Sequence, residues 1–447
     1  MAAGKNASAT TNMAAPGART MTISHITALI AVCVLACAAR ADDAVPMTPK
    51  TAALLENGQE PVTVACFGDS ITGVYYHTGG VRAYTDMLGI ALKRIYPQGE
   101  ISMVNAGISG NTTAAGLQRI ERDVLSRNPQ LVTIMFGMND VTGTPAGAYR
   151  ANLESIVEQC RGVGAEVVLC TPNSVYPEDA GRPMDKLGAF AQTVRDLGAE
   201  LGVPVADCWQ AYEDIRAEDP LAWKLLMSET IHPNMNGHKV FAKTIARTIS
   251  GLHVALDDIG PPTDGLSHTL GLVDKGKPIR IVATPPFDRI VKDALLKRYP
   301  EATVEAVTWP TEGKTLAEIE MHAHTSVGWG YLSRHPDERR PDLVAIAIPA
   351  ELTDESEEAY IRRYSWVLNW SLHFGLKQWD CVAVLPEVLK PALTDAERPW
   401  AALARRVAEG QDISIIERPA GNGASAEEIV EAWVDRQIAA RQFATGN

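Results

Sequence analysis

Cysteine is scarce, with seven in 447 residues. Two, Cys33 and Cys37, fall in an apolar N-terminal stretch, which leaves Cys66, Cys160, Cys170, Cys208 and Cys381. An odd number at scattered spacing excludes a disulfide framework. No CxxC pair or Cys/His cluster points to zinc, so no metal is expected. Cys66 and Cys170 stand in strand-like runs and read as buried apolar fillers. Basic residues are also short. Lys and Arg number 41 against 54 Asp and Glu, a net charge of −13. Such a chain is a poor partner for nucleic acid or an anionic membrane surface. No long amphipathic stretch suits lipid. The apolar run 26–38 is too short to span a bilayer.

That run has another reading. Ala39-Arg40-Ala41 before Asp42 fits a signal-peptide cleavage site, and Lys5 and Arg19 supply the positive flank. Removing 1–41 takes Lys5, Arg19 and Arg40 and no acid, so −13 becomes −16. Initiation at Met21 would give a leader of more usual length. The expected location is secreted or periplasmic. Val34-Leu35-Ala36-Cys37 also approximates a lipoprotein box, so a lipid anchor on Cys37 is the alternative.

The chain is longer than one typical domain. Strand-like runs at 62–67, 101–105, 131–136, 165–170 and 203–207 alternate with helical patterns near 81–96, 113–126, 147–162, 184–201 and 237–251. Leu153, Ile156, Val157 and Cys160 recur at i, i+3, i+4, i+7, one helix face. The alternation predicts a three-layer α/β/α doubly wound parallel sheet with right-handed crossovers. A linker at 42–60 precedes this domain, 61–251. A second linker, 252–277, carries Gly260-Pro261-Pro262.

Residues 278–443 repeat the pattern. Pro278-Ile279-Arg280-Ile281-Val282-Ala283 parallels Pro61-Val62-Thr63-Val64-Ala65-Cys66. Leu296-Lys297-Arg298-Tyr299-Pro300 parallels Leu92-Lys93-Arg94-Ile95-Tyr96-Pro97. An internal duplication is expected. In the second copy Gly313 matches Gly110, but Phe287 falls at the place of Ser70 and Glu351 near that of Asn139. No His-Pro block precedes its last helix, 424–442. Seven of the nine tryptophans lie there, and core or interdomain packing is expected of them ahead of sugar stacking. The insert 321–340, with His322, His324 and His335, reads as a flap over the first domain's pocket, with a metal site as the alternative.

Four short segments carry the chemistry. Gly68-Asp69-Ser70 directly follows a buried strand, at the carboxyl edge where ligands bind in open α/β sheets. Ser70 needs a base to become nucleophilic. His232, in Glu229-Thr230-Ile231-His232-Pro233, can take a proton and return it. Asn105-Ala106-Gly107-Ile108-Ser109-Gly110-Asn111 offers a turn whose glycines let backbone approach a ligand. Gly137-Met138-Asn139-Asp140 offers a side-chain amide. Each segment alone is ordinary turn chemistry; the four in order are a set. Asp69 is expected to brace its turn, Asn111 or Thr112 to cap a helix, and His238 to be structural or exposed. Tyr75, Tyr76 and His77, in the loop 73–80, are candidates for lining the substrate pocket, with simple loop packing as the alternative.

The order and surroundings of these blocks resemble the SGNH hydrolases, the GDSL-type esterases and lipases, over residues 61–251. The resemblance implies a flavodoxin-like fold and an ester hydrolase without a cofactor. It implies Ser70 as nucleophile, Gly110 and Asn139 with the Ser70 N–H as oxyanion donors, and His232 as base. The family pattern carries Asp three residues before the histidine, and here that position is Glu229. Two arrangements stay open: Glu229 orients His232, or Glu229 faces solvent and a backbone carbonyl orients the ring. The expected partner is a small-molecule or polysaccharide ester, foremost an O-acetylated carbohydrate. A lipase or lysophospholipase-type hydrolase is the alternative enzyme, and a non-catalytic carbohydrate-binding or scaffold protein is the alternative of another class.

Overall fold

The computed structural model describes residues 47–73, 75–373, 378–421 and 423–445. The expected leader, 1–41, lies outside the described residues. Among the described residues no helix is long and apolar enough to cross a membrane.

Five strands, β1 Val62–Gly68, β2 Ile101–Gly107, β3 Leu131–Met135, β4 Glu166–Cys170 and β5 Val205–Ala206, form one sheet in the order β2-β1-β3-β4-β5. Every pair is parallel. Five more, β6 Ile279–Ala283, β7 Val304–Thr308, β8 Leu343–Ala347, β9 Asp380–Val384 and β10 Ser414–Ile416, form a second parallel sheet in the order β7-β6-β8-β9-β10. Read from its own first strand, each sheet runs 2-1-3-4-5. This doubly wound order reverses direction between its first and third strands and opens a crevice there.

The central strands are buried on both faces, which their unbroken apolar runs require. Val62, Val64 and Cys66 of β1 join the core beneath the helices Tyr84–Ile95 and Met235–Ser250. Ala65 and Phe67 face the other way, toward the helices Ala146–Gly162 and Met184–Leu201. The second sheet is covered likewise, by Glu357–Ser371 and Arg398–Gly410 on one face and Phe287–Arg298 and Ala426–Thr445 on the other.

Both sheets belong to one compact unit, Pro46–Asn447. Leu225 of the first half sits in the core of the second. Arg82 Nε and Nη2 meet the Asp412 carboxylate at 2.7 Å each. Lys224 pairs with Glu358, and the Arg362 guanidinium lies over the Tyr176 ring.

Three segments differ from the sequence reading. The expected linker 42–60 contains a helix, Pro49–Asn57, with proline in its first turn and Gly58 left-handed at its end. Both are helix signals the sequence displays. The expected helix 113–126 is broken into Thr113–Leu117, Ile120–Asp123 and a 3-10 turn. The region after β5 holds a further helix, Cys208–Glu218.

Candidate active site

Ser70 opens a one-turn helix, Ser70–Gly73, at the carboxyl end of β1. Gly68 before it has no room for a side chain, because a Cβ would stand 2.2 Å from Thr72 Oγ1. Asp69 is buried and its Oδ1 accepts the Ile71 N–H at 3.0 Å, the bracing role expected of it. Burial pushes its carboxyl up to about 7. Gly73 then crosses Gly107 at the end of β2, where a Cβ on Gly73 would meet the Gly107 carbonyl at 2.2 Å.

Gly110 lies in the next turn with φ +74, a conformation that favours glycine. A Cβ there would meet nothing within 4 Å, so the turn faces open space. Arg119 holds this corner. Its guanidinium donates to Gly68 O and Ala106 O at 2.8 Å and to Asn111 Oδ1 at 2.7 Å. To reach them it leaves the helical conformation, with φ −127, which explains the broken helix. Asn139, in the turn after β3, donates from Nδ2 to Asn111 O at 3.0 Å. That bond uses one of its two amide N–H groups. Asp140 accepts from Thr113 N and Oγ1, tying the second and third blocks together.

The last block is a tight loop closed by the Met227–Pro233 bridge and by the Ser228 N–H on His232 O at 2.9 Å. His232 Nε2 lies 2.9 Å from Ser70 Oγ. Its Nδ1 contacts Glu229 Oε1, and its own N–H donates to the same oxygen at 2.7 Å. Thr230 Oγ1 donates to Oε2 at 2.8 Å. Of the two arrangements left open, the one present has the carboxylate against the ring. Burial pushes the Glu229 carboxyl up, but the bond and charge of His232 outweigh it and hold it at about 2. An ionised carboxylate only accepts, so Nδ1 carries the proton and Nε2 faces the serine hydroxyl with its lone pair.

His77 stacks on His232 with centroids 4.3 Å apart and planes 11° apart. His77, Glu229 and His232 bring ligating atoms within 4.8 Å of one another. A metal bonds imidazole in the ring plane, and two parallel stacked rings share no such point, so the set does not fit an ion. Tyr76 and His77 are buried. Tyr76 packs edge-on against Trp329 of the 321–340 insert at 5.0 Å, and Tyr75 Oη accepts from Asn105 Nδ2 at 3.1 Å. In this structure the three are packed into the loop, with Tyr76 under the second half. The insert's own His324 and His335 lie against Trp370 and Tyr331.

Sequence reasoning missed Arg119, Gly73, the bonds of Asn105 to Thr72 and Tyr75, and the pairing of His77 with His232. Only Gly73 gave a signal, as a small residue one turn after the serine.

Residues 66–240 match the family model described as the GDSL-like Lipase/Acylhydrolase family. An acetylxylan esterase from Geobacillus stearothermophilus is 27% identical over 172 residues, covering 35% of this chain and 76% of the relative. The Escherichia coli (strain K12) thioesterase 1/protease 1/lysophospholipase L1 is 25% identical over 191 residues, 42% of this chain and 84% of the relative. A crystal structure of an acetylxylan esterase from G. stearothermophilus overlays with TM-score 0.37 and 26% identity, over 42% of this chain and 94% of that one.

Proposed function

We propose that this chain, which through residues 66–240 belongs to the GDSL-like lipase/acylhydrolase family of carboxylic ester hydrolases, works through an acyl-enzyme on Ser70. The observation that carries the reading is the unbroken chain from Ser70 Oγ through His232 to the buried carboxylate of Glu229. Ser70 Oγ attacks the ester carbonyl carbon and its proton passes to His232 Nε2. The carbonyl electron pair moves onto oxygen, where the N–H groups of Ser70 and Gly110 and the free amide N–H of Asn139 receive it. Collapse expels the alcohol, which takes the proton from Nε2. Water, deprotonated by the same nitrogen, then attacks the acyl carbon; the bond to Ser70 Oγ breaks, Oγ takes the proton back from Nε2, and the acid leaves. Glu229 stays ionised throughout and stabilises the imidazolium.

The substrate class that fits best is an O-acylated, foremost O-acetylated, carbohydrate. The acidic chain and the acetylxylan esterase relative support it. A lipid or thioester acyl group is the second reading, favoured by the name of the E. coli relative. Export follows from the 26–41 signal pattern. The second half is proposed as a degenerate copy, supported by the shared strand order. Phe287 opens a helix after β6 as Ser70 does after β1, and Gly313 lies at φ +69 in open space as Gly110 does.

A fluorophosphonate probe tests the mechanism, since only an activated serine reacts. Wild type should label on Ser70, and Ser70→Ala should neither label nor turn over a short nitrophenyl ester. Retention of more than about a tenth of turnover in Ser70→Ala would overturn the assignment. Acetylated xylo-oligosaccharides set against phospholipids separate the two substrate readings.

A further inference from the structure

Four buried side chains join His232 to the second half of the chain, and the hydrolysis above uses none of them. His77 lies face to face with His232, and its Nδ1 is 3.0 Å from Ser228 Oγ. Asn369, in the helix Glu357–Ser371, donates to that oxygen from Nδ2 at 2.7 Å. Ser228 Oγ in turn donates to Gln411 Oε1 at 3.2 Å. Asn369 and Gln411 are wholly buried.

A hydroxyl has one proton and two lone pairs. The proton goes to Gln411 and one lone pair to Asn369. The other accepts from His77, which places a proton on its Nδ1. Burial and the nearby His232 both push the His77 imidazole well below its usual range. A neutral ring does not oppose the imidazolium that forms beside it. Asn369 Oδ1 and Gln411 Nε2 have no hydrogen-bond partner among the described residues.

We propose that His77 is a positioning residue for His232, and that Asn369 and Gln411 hold it in place through Ser228. The second half then builds part of the catalytic geometry. Glu229 fixes one edge of the imidazole, whereas the stacked ring fixes its plane and keeps Nε2 on Ser70. The proposal rests on the reading of Ser70 and His232 as nucleophile and base.

The test is a double-mutant cycle on the full chain with a small nitrophenyl ester. His77→Ala should lower kcat at least ~30-fold with KM within about twofold, the scale of a misplacement near ~1 Å. His77→Phe keeps a stacked ring without the Ser228 bond and should cost about three- to tenfold. Asn369→Leu should cost about threefold alone, no more than His77→Phe does, and almost nothing on top of His77→Phe, because the bond it supports is already gone. Equal losses in both backgrounds, or an effect confined to KM, overturn the proposal. Where Asn369→Leu does not fold, Gln411→Met runs the same cycle. Failure of the wild type to label with fluorophosphonate sinks the nucleophile reading itself; labelling together with an additive cycle sinks only the positioning.

Discussion

Glu229 is one methylene longer than the aspartate of the family pattern, and the loop around it absorbs the difference. Oε1 takes both the ring and the backbone N–H of His232, and Oε2 takes Thr230. Glu229→Gln should therefore lower kcat by roughly 10²–10⁴-fold, since a neutral amide cannot stabilise the imidazolium and can favour the wrong tautomer. Glu229→Asp retracts the carboxylate and should cost about tenfold. A Glu229→Gln enzyme within twofold of wild type would mean that a backbone carbonyl orients the ring. Asn139 presents a different signature. Its amide serves charge that exists only in the transition state, so Asn139→Ala should lower kcat by roughly 10²-fold with KM nearly unchanged. A change confined to KM would assign it to ground-state binding. The residue types and order of this site were legible in the sequence because each block sits at a strand end or in one tight loop. The bonds of Arg119 to Gly68, Ala106 and Asn111 were not, since no local pattern states which carbonyls a guanidinium will reach.

Helices in this fold are tied to one another at their ends. The first N–H of the helix Tyr84–Ile95 has no partner within its own helix. His238, in the first turn of Met235–Ser250, accepts it at Nδ1 over 2.8 Å. The sequence reading left His238 structural or exposed; it is buried. Burial first, then the charge of His232, pushes its imidazole down to about 3. The folded state thus binds a proton less readily than the unfolded chain, whose histidine titrates near ~6.5. Between those two values the unfolded state holds more protons, so stability falls as pH drops through that window. His238→Gln keeps an acceptor for Tyr84 and removes the titration. Denaturant melts at pH 7 and pH 5 should show wild type losing roughly 2 kcal/mol more than the variant over that interval. Equal losses would mean His238 is protonated in the fold. Element types were largely readable from periodicity, because buried strands and amphipathic helices repeat locally. The break at Arg119 was not, because a long-range demand overrode a local preference.

At the scale of the molecule, the two sheets are not separable modules. The loop after the nucleophile is clamped by Arg82 on Asp412, and Leu225 is buried in the second core. Truncation after Gly260 removes Asp412, Asn369 and Gln411 and uncovers Tyr76 and Leu225. The truncated chain should be insoluble or, if soluble, should hydrolyse a small nitrophenyl ester at least about 100-fold more slowly, as expected when a positioned base loses its support. Full activity in the isolated first half would show that its site is self-sufficient.

The sequence by itself determined the fold class, the strand positions, the order of the four blocks and the nearness of Glu229 to His232 in one short loop; that the carboxylate meets the ring was decided by the fold. What the sequence determined depends on contacts within a few residues or on short periods, which a linear pattern records. Tertiary structure alone decided that His77 stacks on His232, that Ser228 meets Asn369 and Gln411, and that one guanidinium locks two strand ends. Those partners are 155, 141 and 183 residues apart for the first three pairs, by subtraction of their numbers. Nothing local in the chain encodes such meetings. The first and last exist because the first sheet brings its loops and strand ends together, and the Ser228 bonds exist because the second half packs against its loop and supplies Asn369 and Gln411 to a buried hydroxyl.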